Sequence, residues 1–114
     1  MFQQWQADVS QLARCQNVVA KLGGLAMEIN GWGWDGRDKP PSSDEIVATH
    51  RDYYRHTIDC FGPDRCMFES NFPMDKLSVS YGVLWNAFKK IAREFSESEK
   101  DAMFRGTATR IYNL

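Results

Sequence analysis

Apolar positions three and four apart open the chain. Phe2, Trp5, Val9 and Leu12 share one side of a helix predicted over Phe2 to Arg14. Val18 to Leu22 is a short, partly β-branched run stopped by Gly23-Gly24, which predicts a strand. A long loop follows, from Leu25 to about Ser42. It carries Gly31, Trp32, Gly33 and Trp34 and closes on Pro40-Pro41. Ser42-Ser43-Asp44-Glu45 has the S-x-x-E form of a capping box. The helix it opens is predicted to reach Cys60 or Phe61, with Ile46, Tyr53 or Tyr54, Ile58 and Phe61 as its apolar stripe. Gly62-Pro63 then stops it, because proline cannot continue a helix. Arg65 to Phe68 predicts a second short buried strand that breaks into Glu69-Ser70-Asn71-Phe72-Pro73. Tyr81, Leu84, Trp85, Phe88, Ile91, Ala92 and Phe95 trace a third helix that starts between Val79 and Tyr81. Ser96-Glu97-Ser98-Glu99 is a second capping box. It predicts a short helix to Arg105, ended by Gly106, and Thr107 to Tyr112 adds a last turn or two.

Strands that alternate with helices imply parallel pairing through right-handed crossovers. Parallel strands are normally covered on both faces, and two strands make a sheet too narrow to sustain that arrangement. The pattern therefore describes either an unusual domain or a piece of a larger α/β protein.

Composition narrows the partners. The 114 residues are 43% hydrophobic and 25% charged, as in a globular domain, and the formal net charge is -1. That balance offers no global attraction to nucleic acid or to an anionic membrane. No apolar run approaches the roughly 18–20 residues of a membrane span. Met1 to Ser10 lacks the charged segment and apolar stretch of a secretory signal. Cys15, Cys60 and Cys66 are odd in number and lack CxxC spacing, which argues against a disulfide framework or a zinc knuckle. Reduced thiols in the cytoplasm are the expectation. There is no repeat or linker, so residues 1–114 read as one domain.

Four stretches carry a resemblance. Arg65 to Lys76, RCMFESNFPMDK, resembles the eighth strand and following loop of the amidohydrolase-related family, metal-dependent or metal-derived hydrolases on a (β/α)8 barrel. Cys15 to Leu25, CQNVVAKLGGL, is similar to the family's seventh strand. Pro40 to Glu45, PPSSDE, resembles the start of its seventh helix, and Lys100 to Leu114 its C-terminal helix pair. The lactonase-like branch is the closest, and decarboxylases share the barrel. The resemblance implies an α/β chain equivalent to the C-terminal quarter of a TIM barrel: strands seven and eight with flanking helices, a partial domain. A whole barrel needs eight strands and about 250 residues. It also implies a hydrolase of a small lactone or related carboxylic ester or amide, and it admits a homo-oligomer. The family often binds a divalent metal such as zinc, through histidines on earlier strands, so no metal or cofactor is expected within this chain. The chain alone is expected to be inactive.

Active sites of this fold lie at the C-terminal ends of the strands, here Lys21 to Trp34 and Glu69 to Asp75. Asn71 stands where the family's G-S-D-x-P pattern has an aspartate. An amide cannot ionise near neutral pH, so Asn71 cannot be a general base; it lines the pocket or only forms the turn before Pro73. If Asn71 points into the barrel mouth, strand alternation puts Met67 and Glu69 on its face and turns Lys21 inward from the neighbouring strand. The expected result is a Lys21–Glu69 ion pair, against the alternative of two solvated charges. Asn71 and Glu69 are thus the candidate catalytic positions, and Lys21, Trp32 and Trp34 the candidate substrate contacts. The tryptophans act as a lid or subunit contact, or else pack on neighbouring helices. Asp35, Arg37 and Asp38 are expected to be solvated. His50 and His56 are six residues apart on one helix, on different faces, and cannot share a metal. Two further readings stay open: a decarboxylase on the same barrel, and a non-catalytic chain whose open sheet edge is covered by a partner.

Overall fold

The computed structural model describes residues 1–113, with Glu28 through its backbone alone. The helices α1 (Phe2–Ala13), α2 (Ser43–Phe61) and α3 (Tyr81–Ile91) and the strands β1 (Ala20–Leu22) and β2 (Cys66–Phe68) follow the predicted order. The strands are parallel, with Ala20 opposite Cys66, Lys21 opposite Met67 and Leu22 opposite Phe68. Val18 and Val19 are not part of β1, because the chain turns there: the Val18 N–H donates to Cys15 O.

Two compact units divide the chain at the strand tips. One comprises Met1–Leu22, Asp52–Phe68 and Phe95–Leu114; the other comprises Gly23–Arg51 and Glu69–Glu94. The first holds the sheet. Cys66 and Phe68 face helices, since Cys66 Sγ lies 4.0 Å from Thr57 O and the Phe68 ring packs on Tyr54 and Phe104. Burial pushes the Cys66 thiol up to about 12, so it is an inert apolar filler. Lys21 and its register partner Met67 share the opposite face.

Arg65 clamps this unit. Its guanidinium donates to Cys15 O (3.0 Å), Val18 O (3.3 Å) and Ala13 O (2.9 Å), while its Nε donates to Phe61 O at 3.1 Å. The carbonyls left over at the ends of α1 and α2 thus find one charged donor group. A second cluster joins α1 to α2, where His56 Nε2 sits 3.0 Å from Gln6 O, 3.3 Å from Ser10 Oγ and 3.4 Å from Cys60 Sγ.

The other unit holds the loops that follow both strands, together with the first turns of α2 and all of α3. The Ser42 box forms as predicted: Glu45 N donates to Ser42 Oγ at 3.2 Å and Ser42 N to Glu45 Oε1 at 3.4 Å. Lys90 ties α3 to α2 through Ser43 Oγ and Asp44 Oδ1, both at 2.7 Å. Leu84, Ala87, Phe88 and Ile91 form the buried stripe of α3. Each large side chain among them contributes about 1.5–3 kcal/mol through burial. The helix stops at Ile91 instead of running to Phe95, and Ala92–Glu94 tightens into a 3₁₀ turn.

At the C-terminus the second capping box is present on Ser96 and Glu99 and opens α4 (Glu97–Asp101). Gly106 does not end the helical run. Ala102–Gly106 widens into a π-helical segment that feeds α5 (Thr107–Tyr112), and Gly106 keeps a helical φ of -62°. Thr107, 2% exposed, anchors the continuation by donating to Pro63 O at 3.1 Å. That buried tertiary bond outweighs the modest helix-breaking tendency of one glycine. No helix among the described residues is long and apolar enough to cross a membrane.

Candidate functional site

The residues after β2 build a compact polar turn. Asn71 has a φ of 55°, a left-handed conformation that asparagine tolerates better than most residues. Its N–H donates to Glu69 Oε2 at 2.9 Å, and its side-chain Nδ2 donates to Asp75 Oδ1 at 2.8 Å. The Phe72 N–H donates to Ser70 Oγ at 3.2 Å. Glu69, Asn71 and Asp75 therefore form one chain of bonds at the C-terminal tip of the strand. The bond to Asp75 fixes the amide, leaving Asn71 Oδ1 as the acceptor available to water or substrate.

Asp75 is 1% exposed. Burial raises its pKa and the nearby Glu69 charge adds to the rise, while the Asn71 hydrogen bond opposes it. An aspartate at position 71 would set a second carboxylate against this one. Asp75 ends the active-site stretch expected from the sequence but was given no role there; its place four positions after Asn71 in the same turn was the available signal.

Gly23, after β1, gives the turn its room. A Cβ there would lie 2.4 Å from both Glu69 O and Glu69 Oε1. Lys21 is exposed and has no ion-pair partner among the described residues, while Glu69 is bonded within its own turn. The Glu69 carboxylate folds back onto the Asn71 N–H.

Trp32 and Trp34 pack rather than hang free. Their rings stack at 6.0 Å, and both contact His50 of α2, at 5.2 and 5.0 Å between ring centres. Trp34 is 7% exposed, and Trp32 Nε1 donates to Leu25 O at 2.9 Å. Together with His50 they form an aromatic cluster. Asp35, Arg37 and Asp38 are exposed, as expected, and the Arg37 guanidinium donates to the exposed Glu45 at 2.8 Å. The bond raises the Arg37 pKa and lowers that of Glu45.

His50 is fully buried, and burial pulls its pKa from 6.5 down to about 4. The fold keeps it neutral where the unfolded chain takes up a proton. Its contribution is present above pH 6.5 and is lost as pH falls toward 4, by roughly 3 kcal/mol over the full window. Asp75 works in the opposite sense, its contribution fading as pH rises through its raised value. Urea titrations between pH 7 and 4 should show stability falling with acid, and His50→Phe should flatten the slope. An unchanged slope would refute the assignment.

A model of the amidohydrolase family matches residues 1–114. The chain belongs to the amidohydrolase family. Curated relatives of this amidohydrolase chain include the protein y4mH of Sinorhizobium fredii, 42% identical over 99% of the chain. Another is an L-fucono-1,5-lactonase of Burkholderia multivorans, 33% identical over 96%. The chain spans about a third of their length, 34% and 35% respectively. Two solved structures of an amidohydrolase from Burkholderia multivorans cover 96% of the chain. The one with bound zinc has a TM-score of 0.82 and 30% identity, over 37% of its own chain. The one with bound HEPES has a TM-score of 0.81 and 32% identity, over 36%. The fold is thus an α/β arrangement homologous to part of an amidohydrolase.

The zinc of that relative raises the question of fit. Among the described residues no three His, Cys, Asp or Glu side chains converge on one point. The Asp75 oxygen nearest the turn faces the amide nitrogen of Asn71, a donor and not a ligand. The described residues do not by themselves form a zinc site.

Proposed function

We propose that this chain supplies the C-terminal quarter of a (β/α)8 hydrolase that acts on a small lactone or a related carboxylic ester or amide. Water attacks the carbonyl at the barrel mouth, and the water-activating groups come from strands outside these residues. The Glu69–Asn71–Asp75 bond chain at the tip of β2 carries the reading, because it holds two acceptor groups in fixed positions at the end of a parallel strand where this fold places its chemistry. In this reading Glu69 moves a proton and Asn71 Oδ1 orients water or substrate. The Lys21 ammonium on β1 meets the carboxylate released by ring opening, and the stacked Trp32–Trp34 pair walls the entrance. Three free thiols suit a reducing cytoplasm.

The test joins this chain behind the N-terminal two-thirds of the Burkholderia multivorans lactonase and follows hydrolysis of L-fucono-1,5-lactone with a pH indicator. The chain alone should not exceed background, and the fusion should turn over. Glu69→Gln in the fusion should lower kcat by about 100-fold. A folded fusion without hydrolysis, or one indifferent to Glu69→Gln, would overturn the reading. A second reading, a partner strand laid on the sheet, draws on the two-stranded sheet, in which each strand has one unpaired edge.

A further inference from the structure

The loop unit contains a cavity of about 420 Å³, within the range of small-molecule sites. Trp34, Phe72, Leu77 and Tyr81 supply apolar wall, Arg37 and Lys76 line it as cations, and no acidic residue is among its lining residues. Phe72 and Tyr81 meet edge to face at 5.3 Å, so their rings stand at a fixed angle. Leu77 is 64% exposed and Tyr81 55% exposed. The two cations differ in use. Arg37 is oriented by Glu45, whereas Lys76 is exposed and has no ion-pair partner among the described residues.

We infer that this cavity binds a small aromatic carboxylate. A flat ring matches the aromatic walls and covers the exposed Leu77 and Tyr81, and a carboxylate supplies the counter-charge that Lys76 lacks. A polyhydroxylated ligand fits poorly against walls that are mainly apolar, and Ser78 is only 3% exposed. The inference concerns binding by this chain and does not depend on hydrolysis in a completed barrel.

The experiment titrates the 114-residue chain with 1-naphthoate, 1-naphthalenemethanol and acetate, read by calorimetry and by amide chemical shifts. Naphthoate should saturate with a Kd of about 0.1 mM and shift Trp34, Leu77 and Tyr81. The uncharged alcohol and acetate should each bind at least about tenfold more weakly. Lys76→Gln should weaken naphthoate about tenfold, and Lys89→Gln, on exposed α3 surface, should not. Shifts that fail to saturate, equal affinity for the alcohol or for acetate, or unchanged affinity in Lys76→Gln would each overturn the inference. Each of these results is independent of whether the lactonase fusion turns over.

Discussion

Gly23→Ala should destabilise the protein by about 4 kcal/mol, the upper end of single-substitution effects. The added methyl would sit 2.4 Å from a backbone oxygen, Glu69 O, and equally close to Oε1 of the same residue. The side-chain clash is relieved by a rotamer change, but the clash with the carbonyl requires the tip of β1 or β2 to move. Either relief breaks the bond from the Asn71 N–H to Glu69 Oε2. The substitution should therefore lower the urea midpoint and, in the lactonase fusion, also lower kcat. Two other glycines calibrate the result. Gly24 has a φ of 83°, and a Cβ there would meet the Asn71 side chain at 3.7 Å, an ordinary contact, so Gly24→Ala costs mainly backbone strain of about 1 kcal/mol. Gly36 has neither constraint, and Gly36→Ala should be near neutral. A Gly23→Ala midpoint equal to that of Gly36→Ala would refute the close-approach argument.

Arg65→Ala should cost a comparable amount, about 4 kcal/mol, since hydrogen bonds to charged groups contribute about 1.5–3 kcal/mol each and the loss is not additive. Four carbonyls lose their donor at once: Ala13, Cys15, Val18 and Phe61. They belong to the end of α1, the turn before β1 and the end of α2, so one side chain sets where β1 begins. Arg65→Lys keeps the charge and a long stem but cannot fork to several acceptors, and should recover less than half of the loss. The check is chemical denaturation together with hydrogen exchange. Amides of Ala20 to Leu22 should lose protection in Arg65→Ala more than those of α3. Uniform loss across both regions would show a merely global effect.

The sequence was most legible where a local rule had no tertiary competitor. The capping boxes on Ser42 and Ser96 formed, and the apolar stripe of α3 is buried as its period required. It was less legible where a long-range bond decided the outcome. Gly106 reads as a stop in isolation, but Thr107 bonds to Pro63, forty-four residues earlier, and the helix continues. Val18 and Val19 have strand character, but Arg65 holds the Val18 carbonyl in a turn. The site followed the same division. Parity placed Lys21 and Met67 on one face correctly, yet it could not show that Glu69 curls back onto Asn71, because that bond depends on a left-handed residue. Asp75 was assigned no role because its burial, 1% exposed, cannot be read from a short polar turn. Trp34 was found by its glycine-flanked spacing, while its partner His50 was weighed only as a metal ligand and is fully buried.

The closed bonding of the polar turn has a consequence for how such a chain can diverge. Gly23, Glu69, Asn71 and Asp75 bond or abut one another, and Arg65 bonds only within the other unit. The two sets share no residue. Drift in one therefore leaves the partners of the other in place, and new specificities can be sampled on the loops while the strand clamp stays under purifying constraint.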